Sequence, residues 1–138
     1  AVDIFRNTYS GYRQWQLDQV DKASSSFEVR TPCGKLRKLP EDNTYGTAMN
    51  TPVQGGAAEI MLHALVFLYQ EILSRGLNAN IINCVHDEIL VECSKDIVEE
   101  VKELVNYCMV QGYLAVFPDG ITTGLVEVKH GNNWSEAK

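Results

Sequence analysis

The chain has 138 residues, 45% of them hydrophobic, and a net charge of −6. That size supports one domain or a piece of one. The acidic balance argues against a free-standing, sequence-indifferent DNA binder, which needs clustered lysine and arginine. No apolar run approaches ~18 residues, so no membrane span is expected, and the start shows no secretory pattern.

The chain opens on Ala1 rather than methionine, as expected of an excised piece. Its four cysteines, Cys33, Cys84, Cys93 and Cys108, show no C-x-x-C spacing. They read as buried, reduced thiols of a cytoplasmic protein. Residues 1–25 are predicted helical, with a break near Ser10-Gly11. Val2, Phe5 and Tyr9 space as one helical face, and Tyr12, Trp15 and Gln19 as the next, so the aromatics read as core. Ser24–Ser26 ends this region. Residues 27–30 and 36–39 then read as a small hairpin around Thr31-Pro32-Cys33-Gly34, where Pro and Gly suit the turn. Lys22, Arg30, Lys35, Arg37 and Lys38 make this the basic part of an acidic chain. A solvated hairpin and a contact to a duplex backbone both account for it.

Residues 41–49 read as a polar connection. Asn50 is predicted as the N-cap of a long helix, with Pro52 in its first turn, running to about Arg75 and closed by Gly76. Met61, Leu65, Leu68 and Ile72 form one apolar stripe, and Ala57, Ile60, Ala64 and Phe67 another. Glu59, His63, Gln70 and Ser74 lie opposite, and Glu59 and His63 read as a local pair rather than a metal site. Gly55-Gly56-Ala57-Ala58 leaves a bare patch where something large can approach the backbone.

Two runs rich in β-branched residues, Ile81–Val85 and Ile89–Val91, flank His86, Asp87 and Glu88 and predict a second hairpin with His86 and Asp87 at its tip. Two-residue turns need positive φ and usually carry glycine, so a His-Asp tip is a candidate functional one. Parity sets Val85 opposite Glu88, Cys84 opposite Ile89 and Ile82 opposite Val91. One face then carries Ile82, Cys84, Ile89, Val91 and Cys93 toward a core. The other carries Ile81, Asn83, Val85, Glu88, Leu90 and Glu92 toward a polar cleft. Ser94 is predicted to cap a helix over about 96–111, stopped by Gly112. A loop over 116–124, a strand over 125–129 and a polar tail over 130–138 complete the chain. The expected fold class is α+β: an antiparallel sheet centred on a catalytic hairpin and packed against long helices.

Four segments in this order resemble DNA polymerase family A, the bacterial DNA polymerase I type. Val85-His86-Asp87-Glu88 between apolar strands resembles the family's motif C. Asn50-Thr51-Pro52-Val53-Gln54-Gly55-Gly56-Ala57-Ala58-Glu59 is similar to its Asn-x-Pro-x-Gln-Gly-Thr-Ala-Ala-Asp segment. Gly34-Lys35-Leu36-Arg37-Lys38-Leu39-Pro40 resembles its Gly-Arg-Arg-x-x-Leu-Pro. Val126-Glu127-Val128 with Gly131-Asn132-Asn133-Trp134 is similar to its C-terminal Val-Glu-Val…Gly-x-x-Trp.

The resemblance implies a partial polymerase domain: fingers-derived helices over 1–26, a small basic hairpin and connection over 27–49, and the C-terminal palm over 50–138. It implies catalytic roles for Asp87, Glu88 and His86, with Asp87 and Glu88 as ligands of Mg²⁺. The two-metal site would be completed by a carboxylate outside the chain. Asn50 and Gln54 would reach the duplex minor groove, His86 the primer terminus, and Arg30, Lys35 and Arg37 the DNA backbone. The implied partners are primer–template DNA, deoxynucleoside triphosphates through the complete enzyme, and the missing N-terminal polymerase portion, with no membrane involved.

Departures matter as much. The motif A strand and the nucleotide-binding fingers helix are absent from the sequence. Gly46 stands where the family often has Arg, and Gly56 where it has Thr. The chain alone is therefore expected to be inactive, as a fragment or split subunit. The alternative is a non-catalytic module that binds duplex DNA or a polymerase partner. A metal hydrolase is disfavoured by the scarcity of further His and Asp at ligand spacing. Without motif A the hairpin keeps an unpaired edge, expected to be covered by a homodimer, a lattice contact or a rearranged segment.

Overall fold

The computed structural model describes residues 2–39 and 44–137. Pro40 and the start of the expected polar connection lie outside them. The chain divides into two compact units, Ala1–Gly56 and Ala57–Lys138.

The first unit opens with helices α1 (Val2–Thr8) and α2 (Ser10–Ser26), broken at Tyr9 as the sequence predicts to within two residues. The aromatics do not form a core. Phe5 is 51% exposed and Tyr9 and Tyr12 are similarly open, with rings 4.8 Å apart between Phe5 and Tyr9 and 5.9 Å apart between Tyr12 and Trp15. They pack along the helix surface rather than into an opposing layer. The serine run ends α2 by a local mechanism: the Ser24 and Ser26 hydroxyls donate back to the carbonyls of Val20 and Lys22, competing with helical backbone bonds. Phe27 then takes a left-handed φ of 54°.

Strands β1 (Glu28–Arg30) and β2 (Leu36–Lys38) pair antiparallel, with Val29 opposite Arg37. Val29 and Leu39 are buried with Ala23 of α2 and Ala48. Ala48 lies in helix α3, which runs from Thr44 to Arg75. This corrects the expected N-cap: Asn50 is inside the helix, six residues beyond its first residue. Pro52 is likewise internal. It cannot donate to the Ala48 carbonyl, so the helix runs through Pro52 with one backbone bond missing. Burial of Ala48 against the hairpin favours continuing the helix upstream.

In the second unit, Met61, Ala64, Leu68 and Ile72 of α3 are buried. Leu68 and Ile72 share a core with Val101, Leu104, Val105 and Cys108 of helix α4 (Val98–Val116). Gly76 closes α3 with φ 62°. Its N–H donates to the Leu73 carbonyl at 3.2 Å and that of Leu77 to Ile72 at 3.1 Å, which satisfies the last carbonyls in a Schellman arrangement. The opposite flank of α3 is open: Leu62 is 62% exposed, and Val66, Tyr69 and Leu73 are similarly exposed. By length and composition alone α3, over Tyr45–Arg75, is long and apolar enough to cross a membrane, but Leu68 and Ile72 on one of its faces pack into this core.

Gly112 does not stop α4. It lies within the helix, where a Cβ would come within 2.7 Å of the Ile60 carbonyl oxygen. A glycine used for close helix approach looks, in sequence, like one used as a terminator. Ser94 is not a side-chain cap either: its hydroxyl accepts from the Asn78 amide, and a 3-10 turn over Lys95–Ile97 leads into α4.

Strands β3 (Ala79–Val85) and β4 (Glu88–Cys93) form the second hairpin. Its tip register is as predicted: Val85 opposes Glu88 and Cys84 opposes Ile89. Asn83 then opposes Leu90, but Ile81 rather than Ile82 opposes Val91. Ile82 is the extra residue of a β-bulge, which strict alternation cannot foresee. The shift reverses the expected faces below the bulge. Ala79 and Ile81 join Ile89, Val91 and Cys93 on the core, and Ile82 is 54% exposed. Cys84, expected on the core face, is also exposed, as is Cys33, so only part of the thiol expectation holds.

Residues 125–129 form no strand. Val128 packs on the core, and the tail closes on itself instead. The Glu136 carboxylate accepts from the Asn132 N–H at 3.0 Å and from the Asn132 and Asn133 amides at 3.1 and 2.7 Å. These donors hold its carboxyl below the usual carboxylate range.

Candidate nucleic-acid interface and carboxylate tip

In the first unit the basic hairpin is fastened to α3. Thr31, buried at the turn, donates its N–H to the Lys35 carbonyl, and its hydroxyl accepts from the Lys35 N–H, both at 3.0 Å. Its carbonyl accepts from the Gly34 N–H at 2.9 Å, and Gly34 has φ 90°. The Arg30 guanidinium spans the same turn, donating to the Gly34 carbonyl at 2.9 Å. One strand further, Arg37 Nη1 donates to the hydroxyl of buried Thr51 on α3 at 3.4 Å.

Thr51 lies between Asn50 and Gln54, and both of these are exposed. They are four residues apart, one helical turn, and therefore share a face of α3. The structure thus brings Arg37 to the helix segment carrying Asn50 and Gln54, while Arg30 and Lys35 cluster at the exposed turn. Thr31 and Thr51, which make these attachments, were not singled out in the sequence. The small Gly55-Gly56 patch was the available signal: small residues on a helix invite a close neighbour.

In the second unit, His86, Asp87 and Glu88 are all exposed at the tip of the β3–β4 hairpin. His86 takes the left-handed φ of 55° that the turn requires without glycine. The bulge sits four residues before this tip residue, and Asn83 Oδ1 accepts the Cys84 N–H at 2.9 Å between them. Bulges increase local twist and re-aim the chain beyond them.

Two adjacent carboxylates are hard oxygen donors suited to Mg²⁺, but Mg²⁺ demands a near-octahedral set. Among the described residues no group of three or more His, Cys, Asp or Glu side chains converges. The donor chemistry at Asp87 and Glu88 fits a share of a Mg²⁺ site rather than a whole one.

The architecture is that of an α+β protein in which two antiparallel hairpins stand on long helices, one hairpin basic and one tipped with carboxylates. The chain belongs to DNA polymerase family A, whose family profile matches residues 1–136. It is 40% identical over 107 residues to DNA polymerase I of Aquifex aeolicus, covering 77% of this chain and 18% of that protein. It is 27% identical over 146 aligned positions to DNA polymerase I of Bacillus subtilis, covering 99% of this chain and 16% of that one.

Among solved structures, it matches the POL domain of Pol1 from M. smegmatis in complex with DNA primer-template and dNTP. The TM-score is 0.83 at 29% identity, over 96% of this chain and 24% of that one. The chain therefore spans less than a fifth of these curated relatives and about a quarter of the solved domain.

Proposed function

We propose that the chain is the C-terminal share of a DNA-directed DNA polymerase, a fragment or split subunit that is inactive until a complementary portion supplies motif A and the nucleotide-binding helix. The observation that carries this reading is the exposed His86-Asp87-Glu88 tip on a bulged hairpin, within a chain matched to the family over 1–136. Residues 1–26 would derive from the fingers, 27–49 form the basic hairpin and connection, and 50–138 the C-terminal palm.

Asp87 would hold Mg²⁺ together with a carboxylate from outside the chain, and Glu88 would serve as a secondary carboxylate. Bound there, Mg²⁺ supplies activation of a primer 3′-hydroxyl and charge stabilisation of the leaving pyrophosphate. His86 would contact the primer-terminal backbone. Asn50 and Gln54 would offer amide donors and acceptors to minor-groove base edges, while Arg30, Lys35 and Arg37 pair with phosphates. Local clustering of cations makes this compatible with an acidic chain. The partners are primer–template DNA and, through the completed enzyme, deoxynucleoside triphosphates, in a bacterial or phage-infected cytoplasm.

The second hairpin contains two strands. Its outer edges would accept a strand from the complementary portion or from a second copy. The exposed Leu62, Val66, Tyr69 and Leu73 flank supports the need for such a partner.

A second reading, a non-catalytic module gripping duplex DNA or a polymerase partner, is supported by the incomplete carboxylate set at the tip. Mixing the chain with a polymerase portion bearing motif A and the nucleotide-binding helix separates the two. Primer extension that appears on mixing and is lost with Asp87→Ala supports the catalytic share. Duplex binding without extension, indifferent to Asp87→Ala, supports the module.

A further inference from the structure

The attachment of the basic hairpin to α3 has a specific steric basis. Gly55 faces Thr31: a methyl on Gly55 would overlap Thr31 Cγ2 and sit 3.2 Å from Thr31 Cβ. Thr31 is buried and cannot rotate away cheaply, because its hydroxyl is engaged with the Lys35 N–H at 3.0 Å and its own N–H with the Lys35 carbonyl. Its β-branched χ1 is stiff as well. The threonine methyl therefore fills the space that the absent Cβ of Gly55 leaves. Gly55 adjoins Gln54, and the Arg37 bond to Thr51 adds a second fastening one turn earlier on the same helix.

We infer that Thr31 and Gly55 are positioning residues for duplex binding: their methyl-in-notch contact sets the basic strand beside Asn50 and Gln54, so that phosphate and groove contacts act as one surface. This rests on the reading of that surface as a DNA interface. Neither residue need touch DNA. Thr31 fixes the turn that carries Arg30 and Lys35, and Gly55 fixes the distance of that turn from α3. Alanine is a better helix former than glycine, so Gly55→Ala perturbs the hairpin without weakening the helix.

The test is equilibrium binding of the full 138-residue chain to a short fluorescent primer–template duplex over a salt series. Each phosphate-contacting cation contributes ~0.9 to the slope of log affinity against log salt. Arg37→Gln should lower that slope by about one unit. Gly55→Ala should weaken binding by about fivefold or more at low salt and lower the slope by more than Arg37→Gln does, because Arg30 and Lys35 on the same turn lose their position together. In the Gly55→Ala background, Arg37→Gln should cost nothing further. Thr31→Ser combined with Gly55→Ala moves the methyl from one side of the contact to the other and should restore both affinity and slope.

A folding defect would change the melting temperature without this pattern of slope and non-additivity. Binding that responds to Arg37→Gln but is unchanged by Gly55→Ala, or full additivity of the two, overturns the positioning role while leaving the interface standing. Absence of duplex binding by the unsubstituted chain overturns both.

Discussion

Gly112 of α4 lies against Ala64 of α3 so closely that a Cβ on Gly112 would stand 2.7 Å from the Ala64 backbone nitrogen and 2.8 Å from its Cβ. The obstacle is backbone and a buried methyl, which cannot swing aside. Gly112→Ala should therefore destabilise the second unit despite its gain in helix propensity. The expected cost is about 1–3 kcal/mol, as for overpacked cores. Denaturant melts of the two proteins measure it, and a neutral or stabilising result would show that the helices stand further apart.

The bulge at Ile82 makes adjacent isoleucines unequal. Ile81 packs on the core, whereas Ile82 is exposed. Ile81→Ser should cost about 2–4 kcal/mol through lost burial and a cavity. Ile82→Ser should stay within about 0.5 kcal/mol, as for an ordinary surface site. Chemical denaturation of both variants reads the difference. Equal costs, or the reverse order, would restore the unbulged register.

Cys108 is fully buried in the core, and burial, aided by the nearby Glu71 carboxylate, pushes its thiol up from 9.0 to about 11. The folded state thus keeps the proton in a range where the unfolded chain has begun to lose it. The stability linked to this group is fully present below pH 9 and is lost as pH rises toward 11. Between these values, stability should fall with rising pH and fall less in Cys108→Ala. Near pH 8, a thiol reagent should modify the exposed Cys33 and Cys84 well before Cys108. Early modification of Cys108 would show that the α3–α4 core opens readily.

What the sequence made legible follows from which interactions are local. The His86-Asp87 turn was readable because β-branched flanks and a two-residue gap are near-neighbour signals. The end of α3 at Gly76 was readable because a left-handed position favours glycine. Asn50 inside α3, Gly112 inside α4 and the bulge at Ile82 were not, since each is decided by a partner distant in the chain. Ala48 must meet the hairpin, Gly112 must meet Ile60 and Ala64, and Ile81 must reach the α3–α4 core. At the candidate site, the residue types of Asp87, Glu88, Asn50, Gln54 and Arg37 stood out individually. The fastening of Arg37 and Thr31 onto α3 through Thr51 and Gly55 did not, because it joins positions 14 and 24 residues apart.

The catalytic share assigned to Asp87 is tested most directly by complementation. The chain, unsubstituted or as Asp87→Ala, is mixed with a polymerase portion that carries motif A, and primer extension is measured with Mg²⁺ present. The account predicts no extension by either part alone, extension by the unsubstituted mixture, and a loss of about a thousandfold or more with Asp87→Ala, as expected when a metal-binding carboxylate is removed from a two-metal centre. Extension that persists with Asp87→Ala would contradict it.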